Sequence, residues 1–275
     1  MAQLSLLGKK TVCLVSGASR GIGRAMALAL AQKFACGSTM ILMARNLHML
    51  NAVKLELARI APNISVFLCS TDLSVIDKKV FEKMFAEVKQ QLCSMTTKID
   101  VAMIVHNAAT IGPIHKHCSQ LDSATDLREY FDMNVISPIL LNTTFLENFG
   151  PDFVSQRVVI NISSGAAYSA ISGLHLYSAG KAARDSFFRV LSDEEPEIRV
   201  LNFNPGPVVT DMQLELGSKV WNEAVMKWSK DGSEAGTFAT PCAVAEKLVH
   251  VLDENSFKSG CFMTMDETTL KFSFE

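Results

Sequence analysis

The sequence has almost no charge imbalance: 26 Lys and Arg stand against 28 Asp and Glu, a formal net charge of −2. With so little bulk charge, neither nucleic acid nor an anionic membrane surface is expected as a partner. No apolar run reaches the roughly 20 residues that a bilayer crossing needs. The first residues carry no basic segment followed by an apolar core, so no secretory signal is expected and the location is expected to be cytoplasmic. CxxC pairs are also missing. The seven cysteines (Cys13, Cys36, Cys69, Cys93, Cys118, Cys242 and Cys261) are odd in number, and three of them sit in apolar runs. That excludes a disulfide framework and a thiolate metal site, and points to reduced thiols buried in a cytosolic protein with no metal. Three Asn-x-Ser/Thr triplets, at Asn63, Asn142 and Asn161, are then chance matches. Repeats, low-complexity stretches and linkers are lacking too, so residues 1–275 are expected to form a single domain.

What is present is alternation. Short apolar runs at Thr11–Ser16, Thr39–Ala44, Ile64–Cys69, Val101–Val105, Arg157–Ile162 and Ile198–Phe203 read as strands. Between them lie stretches with helical spacing: Arg24–Phe34, Leu47–Ile60, Val75–Leu92, Leu121–Leu146 and Leu174–Leu191. Further helices are expected near Gly217–Lys230 and Pro241–Leu252, then a short strand at Cys261–Met265. The tail Thr268–Glu275 suits either an edge strand or a disordered end. Strand–helix alternation implies right-handed crossovers, and the continuous apolar strands imply a sheet covered on both faces. The fold class is therefore α/β: a single doubly wound domain of Rossmann type, with a mainly parallel central sheet and helices on both faces.

Between the first strand and first helix runs Ser16-Gly17-Ala18-Ser19-Arg20-Gly21-Ile22-Gly23. Glycines there let the backbone turn tightly and let a pyrophosphate approach without meeting Cβ atoms. The helix N-terminus adds unpaired N–H groups and partial positive charge. After the second strand, where an acid would bind the ribose of NAD, the sequence reads Ala44-Arg45-Asn46. A guanidinium there suits a 2′-phosphate instead, so the expected cofactor is NADP(H), with Arg45 and Arg20 as phosphate ligands. The alternative is that both are solvated surface arginines, but the position of Arg45, roughly 20 residues after the loop, favours the phosphate reading. Asp72-Leu73, after the third strand, suits the adenine edge; Asp72 also suits a helix cap.

Tyr177-Ser178-Ala179-Gly180-Lys181 places an amine one helical turn from a phenol. A free phenol, with a pKa of about 10, is too weak an acid for neutral pH, and a neighbouring cation favours its ionised form. Ser164 follows the fifth strand, at the carboxyl edge where parallel sheets hold ligands. The sixth strand leads into Asn204-Pro205-Gly206-Pro207-Val208-Val209-Thr210-Asp211, a rigid turn at the same edge.

Together these segments, from Thr11 to about Met212, resemble the classical short-chain dehydrogenase/reductase family. The resemblance implies that Asn134, Ser164, Tyr177 and Lys181 are catalytic. It implies that Gly17, Gly21, Gly23 and Asn107 support the cofactor, and that Val208, Val209, Thr210, Asp211 and Met212 border its nicotinamide. His106 and Ala109 depart from the family's Asn-Asn-Ala-Gly run. Leu176–Asp185, Glu194-Glu195-Pro196 and Arg199–Asn202 are similar to the pterin-reducing branch of that family. This implies reduction of pterin side-chain carbonyls in tetrahydrobiopterin synthesis, substrate contacts at Ser164, Gly165, Tyr177 and Gly206, and a homodimer built on the helices of Asn134 and Tyr177. That branch anchors its substrate with an aspartate where this chain has Thr264; Asp266, on the same face of a strand, is the candidate substitute. Reduction of other ketones, diketones or quinones is the alternative. A catalytically silent NADP-binding regulator is the alternative of another class.

Overall fold

The computed structural model describes residues 4–93 and 98–265. Asp266 and the tail Thr268–Glu275, both singled out above, lie outside the described residues. Strands β1 (Thr11–Ser16), β2 (Thr39–Ala44), β3 (Ser65–Ser70), β4 (Ile99–His106), β5 (Val154–Ile162), β6 (Ile198–Asn204) and β7 (Phe262–Thr264) form one sheet. Its order is β3-β2-β1-β4-β5-β6-β7, and every neighbouring pair is parallel. The chain is thus a single α/β domain with a doubly wound sheet.

Helices cover both faces because the strands are apolar on both. Cys13, Val15, Met103 and Val105 pack on one side against α1 (Gly21–Ala31), α2 (Leu47–Ile60) and α9 (Pro241–Glu254). Val12, Leu14, Ala102 and Ile104 pack on the other against α3 (Lys78–Cys93), α5 (Ser137–Asn148) and α6 (His175–Glu194). Each large side chain removed from water in this way contributes about 1.5–3 kcal/mol before chain entropy is subtracted. Strand order reverses between β1 and β4, and such a switch point opens a crevice at the carboxyl ends of the strands.

Two expected helices are broken. The Leu121–Leu146 segment divides into α4 (Ala124–Phe131), a π-helical turn (Asp132–Ile136) and α5. The Ser137 N–H reaches back five residues to Asp132, and Pro138, which has no N–H, cannot bond the Asn134 carbonyl. The Gly217–Lys230 segment is likewise two helices, α7 (Asp211–Lys219) and α8 (Glu223–Glu234). The break comes where the Trp221 N–H bonds Ile114 O at 3.1 Å and Asn222 caps α8 by accepting from Val225 N–H at 3.0 Å. The thiols depart from expectation as well: Cys13 and Cys69 are buried, but Cys36, Cys118 and Cys242 are exposed. Among the described residues, no helix is long and apolar enough to cross a membrane.

Candidate active site

The glycine loop is shaped by what packs over it. Gly17 has φ +68° and Gly21 φ +55°, a left-handed backbone that favours glycine. A Cβ on Gly23 would come within 2.2 Å of Gly17 O. The Asn107 amide lies against the same loop, donating to Ser16 O at 3.0 Å and Gly17 O at 3.4 Å. Asn107, at the end of β4, therefore holds the loop that follows β1. The first turn of α1 has no side-chain cap from Arg20, so its N–H groups stay available to an anion.

The loop opens onto a cavity of about 770 Å³ along the carboxyl edge of the sheet. Gly17, Ser19, Arg20, Gly21 and Ile22 form one wall; Arg45, Asn46 and Leu73 lie beyond it. Val208 to Met212 also line it, with Thr210 Cγ2 3.6 Å from where a Cβ on Gly21 would stand, and Ser164, Gly165, Tyr177, Lys181 and Gly206 close the inner end. Of the other expected site residues, Ala18 and Gly23 are buried behind the loop. Asn46 also caps α2, accepting from Met49 N–H at 3.0 Å. Asp72 turns its carboxylate to Ser74, accepting from the backbone N–H at 3.0 Å and the hydroxyl at 2.9 Å. Its second oxygen lies 4.0 Å from Arg45. These bonds, followed by Arg45, hold its pKa below the usual carboxylate range. Arg20 pairs with Asp211 across the cavity mouth. The Thr210 hydroxyl caps α7. Asn134 is buried in the π turn, accepting from Thr110 N–H at 2.9 Å and donating to Tyr130 O at 3.0 Å.

The cavity fits a dinucleotide. The positive-φ glycines leave the phosphate end free of side chains, and the buried Asn204 Nδ2 beside the cavity has no hydrogen-bond partner. An unmet buried donor carries a cost, and a bound carboxamide or water relieves it.

At the inner end, Tyr177 is half-buried, and Ser164, whose Oγ accepts from Ala166 N–H at 3.2 Å, lines the same wall. The Lys181 Nζ lies 5.4 Å from the centre of the Tyr177 ring and donates to Ile162 O at 2.6 Å. The expectation that Lys181 draws the phenol pKa down is corrected here. Burial raises it, opposed first by Ser164 and then by Arg184. Lys181 itself is pushed well below its ordinary value, by burial and then by Arg184, while Asp185 opposes. The phenol therefore stays protonated at neutral pH, the form a proton donor requires.

Sequence reasoning assigned no role to several residues around this centre. His106 is buried, stacked on Phe188 at 5.0 Å, with its Nε2 3.2 Å from Asn142 Oδ1. Burial, then Arg184, takes its pKa down to about 3, so it is neutral. Asp185 accepts from Asn161 Nδ2 at 2.8 Å and Ser163 Oγ at 2.6 Å. Arg184 is wholly buried. Its position seven residues after Tyr177, on the same stripe of α6, was a legible signal.

A family profile described as short chain dehydrogenase matches residues 11–221. The chain is 34% identical over 262 residues to sepiapterin reductase of Xenopus tropicalis, covering 94% of this chain and 97% of that protein. It is 25% identical to benzil reductase ((S)-benzoin forming) of Bacillus subtilis, covering 88% and 93%. Among solved structures, a candidate short chain dehydrogenase from Shigella flexneri complexed with NADP superposes with a TM-score of 0.73 at 22% identity, over 96% of this chain and 99% of that one.

Proposed function

The chain belongs to the short chain dehydrogenase family, as an oxidoreductase that takes a nicotinamide cofactor, and we propose that it is an NADPH-dependent carbonyl reductase acting on pterins. The observation that carries the reading is that Ser164, Tyr177 and Lys181 line the same cavity as the glycine loop. Similarity to sepiapterin reductase over nearly the full length supports the pterin substrate. A side-chain carbonyl reduced on the way to tetrahydrobiopterin is the proposed reacting group.

The reduced nicotinamide supplies a hydride when bound. Ser164 holds the substrate carbonyl oxygen, and Tyr177 gives that oxygen its proton, which leaves a phenolate to be reprotonated from solvent. Lys181 keeps the helix turn in place through Ile162 O and binds the cofactor ribose. Asn134 holds the neighbouring π turn in shape, leaving its own carbonyl outside the ordinary ladder for a relay water. Arg45 and Arg20 bind the 2′-phosphate, with Asp72 positioned near the adenine. Gly165 and Gly206 give the substrate close access to backbone, and Asp266 is the proposed pterin anchor. Two copies of the chain form a homodimer through the faces of α4–α5 and α6.

One observation favours a second reading. Ile111, Ile171, Leu174, Met212, Leu216 and Trp228 form an apolar cluster with Tyr177 on the cavity wall. Such a wall suits an aromatic diketone, the class named for the Bacillus subtilis relative. Initial rates with NADPH and with NADH on sepiapterin and on benzil decide. A preference for sepiapterin with NADPH supports the proposal; turnover of benzil alone favours the second reading.

A further inference from the structure

Arg184 is fully buried, yet its guanidinium has no carboxylate within ion-pairing distance among the described residues. Its bonds go to backbone: Nη2 donates to His106 O at 2.7 Å and Nη1 reaches Ala108 O at 3.5 Å, while Nε has no partner. A buried cation held this way is costly, and an apolar side chain of similar volume would be cheaper. Burial lowers its pKa only to about 10, so it remains charged at neutral pH.

The two carbonyls bracket Asn107, whose amide holds the glycine loop. Arg184 therefore ties helix α6, which carries Tyr177 and Lys181, to the end of β4 that braces the glycine loop. It shares one stripe of α6 with both residues. On the other side of that stripe, Tyr130 packs its hydroxyl where a Cβ on Gly180 would stand, 2.9 Å away.

We propose that Arg184 is a positioning residue of the reductase site, fixing the helix that carries Tyr177 and Lys181 against the end of β4 whose Asn107 holds the glycine loop. The inference rests on the reading of Tyr177 as proton donor. The Arg184 guanidinium also opposes the burial that raises the Tyr177 phenol, so removing it should raise the phenol further.

The test compares R184M and R184K with the parent enzyme. Three readouts are needed: kcat and KM as functions of pH, NADPH affinity by fluorescence, and ultraviolet titration of tyrosine difference spectra between each enzyme and its Y177F counterpart. R184M is expected to lose about 10- to 100-fold in kcat, the scale of a lost hydrogen bond to a charged group. KM should change little, and the Tyr177 titration should move to higher pH. R184K should return the titration towards the parent value but recover only part of kcat, because an ammonium cannot bridge both carbonyls. An R184M enzyme with the parent pH profile and kcat overturns the proposal. If R184M does not fold, R184K decides alone: parent kcat with no titration shift overturns it. Full activity in Y177F would instead overturn the reading of the site, whatever Arg184 does.

Discussion

His106 shows how one substituted residue sets a measurable property. Its folded-state pKa of about 3 lies below the ordinary 6.5, because a charged ring cannot be solvated against Phe188 or tolerated near Arg184. The unfolded chain therefore takes up a proton that the folded chain refuses. The stability tied to this residue is complete above about pH 6.5 and falls as pH drops towards 3. In H106N, the slope of unfolding free energy against pH in that window should be shallower by up to about 1.4 kcal/mol per pH unit. Urea melts at several pH values between 4 and 7 check this, and equal slopes would show that the ring is protonated in the fold. Tyr177, Lys181 and Ser164 were legible as chemistry-bearing residues because helix periodicity and strand ends fix where side chains point. Their acid–base directions were not, because burial outweighs the neighbouring amine, and burial depends on what packs from distant segments. The stripe of α6 places Arg184 on the same face as Tyr177, but nothing local in the sequence marks it or Asp185 as buried.

At the level of elements, β1, β2 and α2 match the sequence reading in full, since continuous apolar runs and the Asn46 cap determine them locally. The breaks at the π turn and at Val220–Asn222 were missed. Helical periodicity continues through both, and only Pro138 and the tertiary bond from Trp221 to Ile114 mark them. The π turn places Ile136 outward, 41% exposed, while α6 shows Val190 outward at 48%. Both lie on the faces proposed to join two copies. The purified chain should sediment as a dimer, and V190D should shift it to monomer by placing a charge in a desolvated contact. A monomer before mutation would remove that part of the proposal.

For the whole molecule, the central fact is convergence at the carboxyl edge of one sheet. The loop after β1, Asn107 after β4, Ser164 after β5, Asn204 at the end of β6 and Tyr177 on α6 come from across the chain and meet around one cavity. Doubly wound topology brings strand ends together in this way, so the site's general location could be read from the strand–helix order. The apolar end of the cavity depends on α7 and α8, where the sequence pattern is weakest. The account as a whole turns on Tyr177 as the proton donor. The most direct measurement is the rate of NADPH-dependent carbonyl reduction by Y177F, with NADPH binding followed by fluorescence. The account predicts retained binding and a rate lower by about 10²- to 10⁴-fold, the usual contribution of a positioned general acid. Y177F that reduces the carbonyl as fast as the parent enzyme would contradict it.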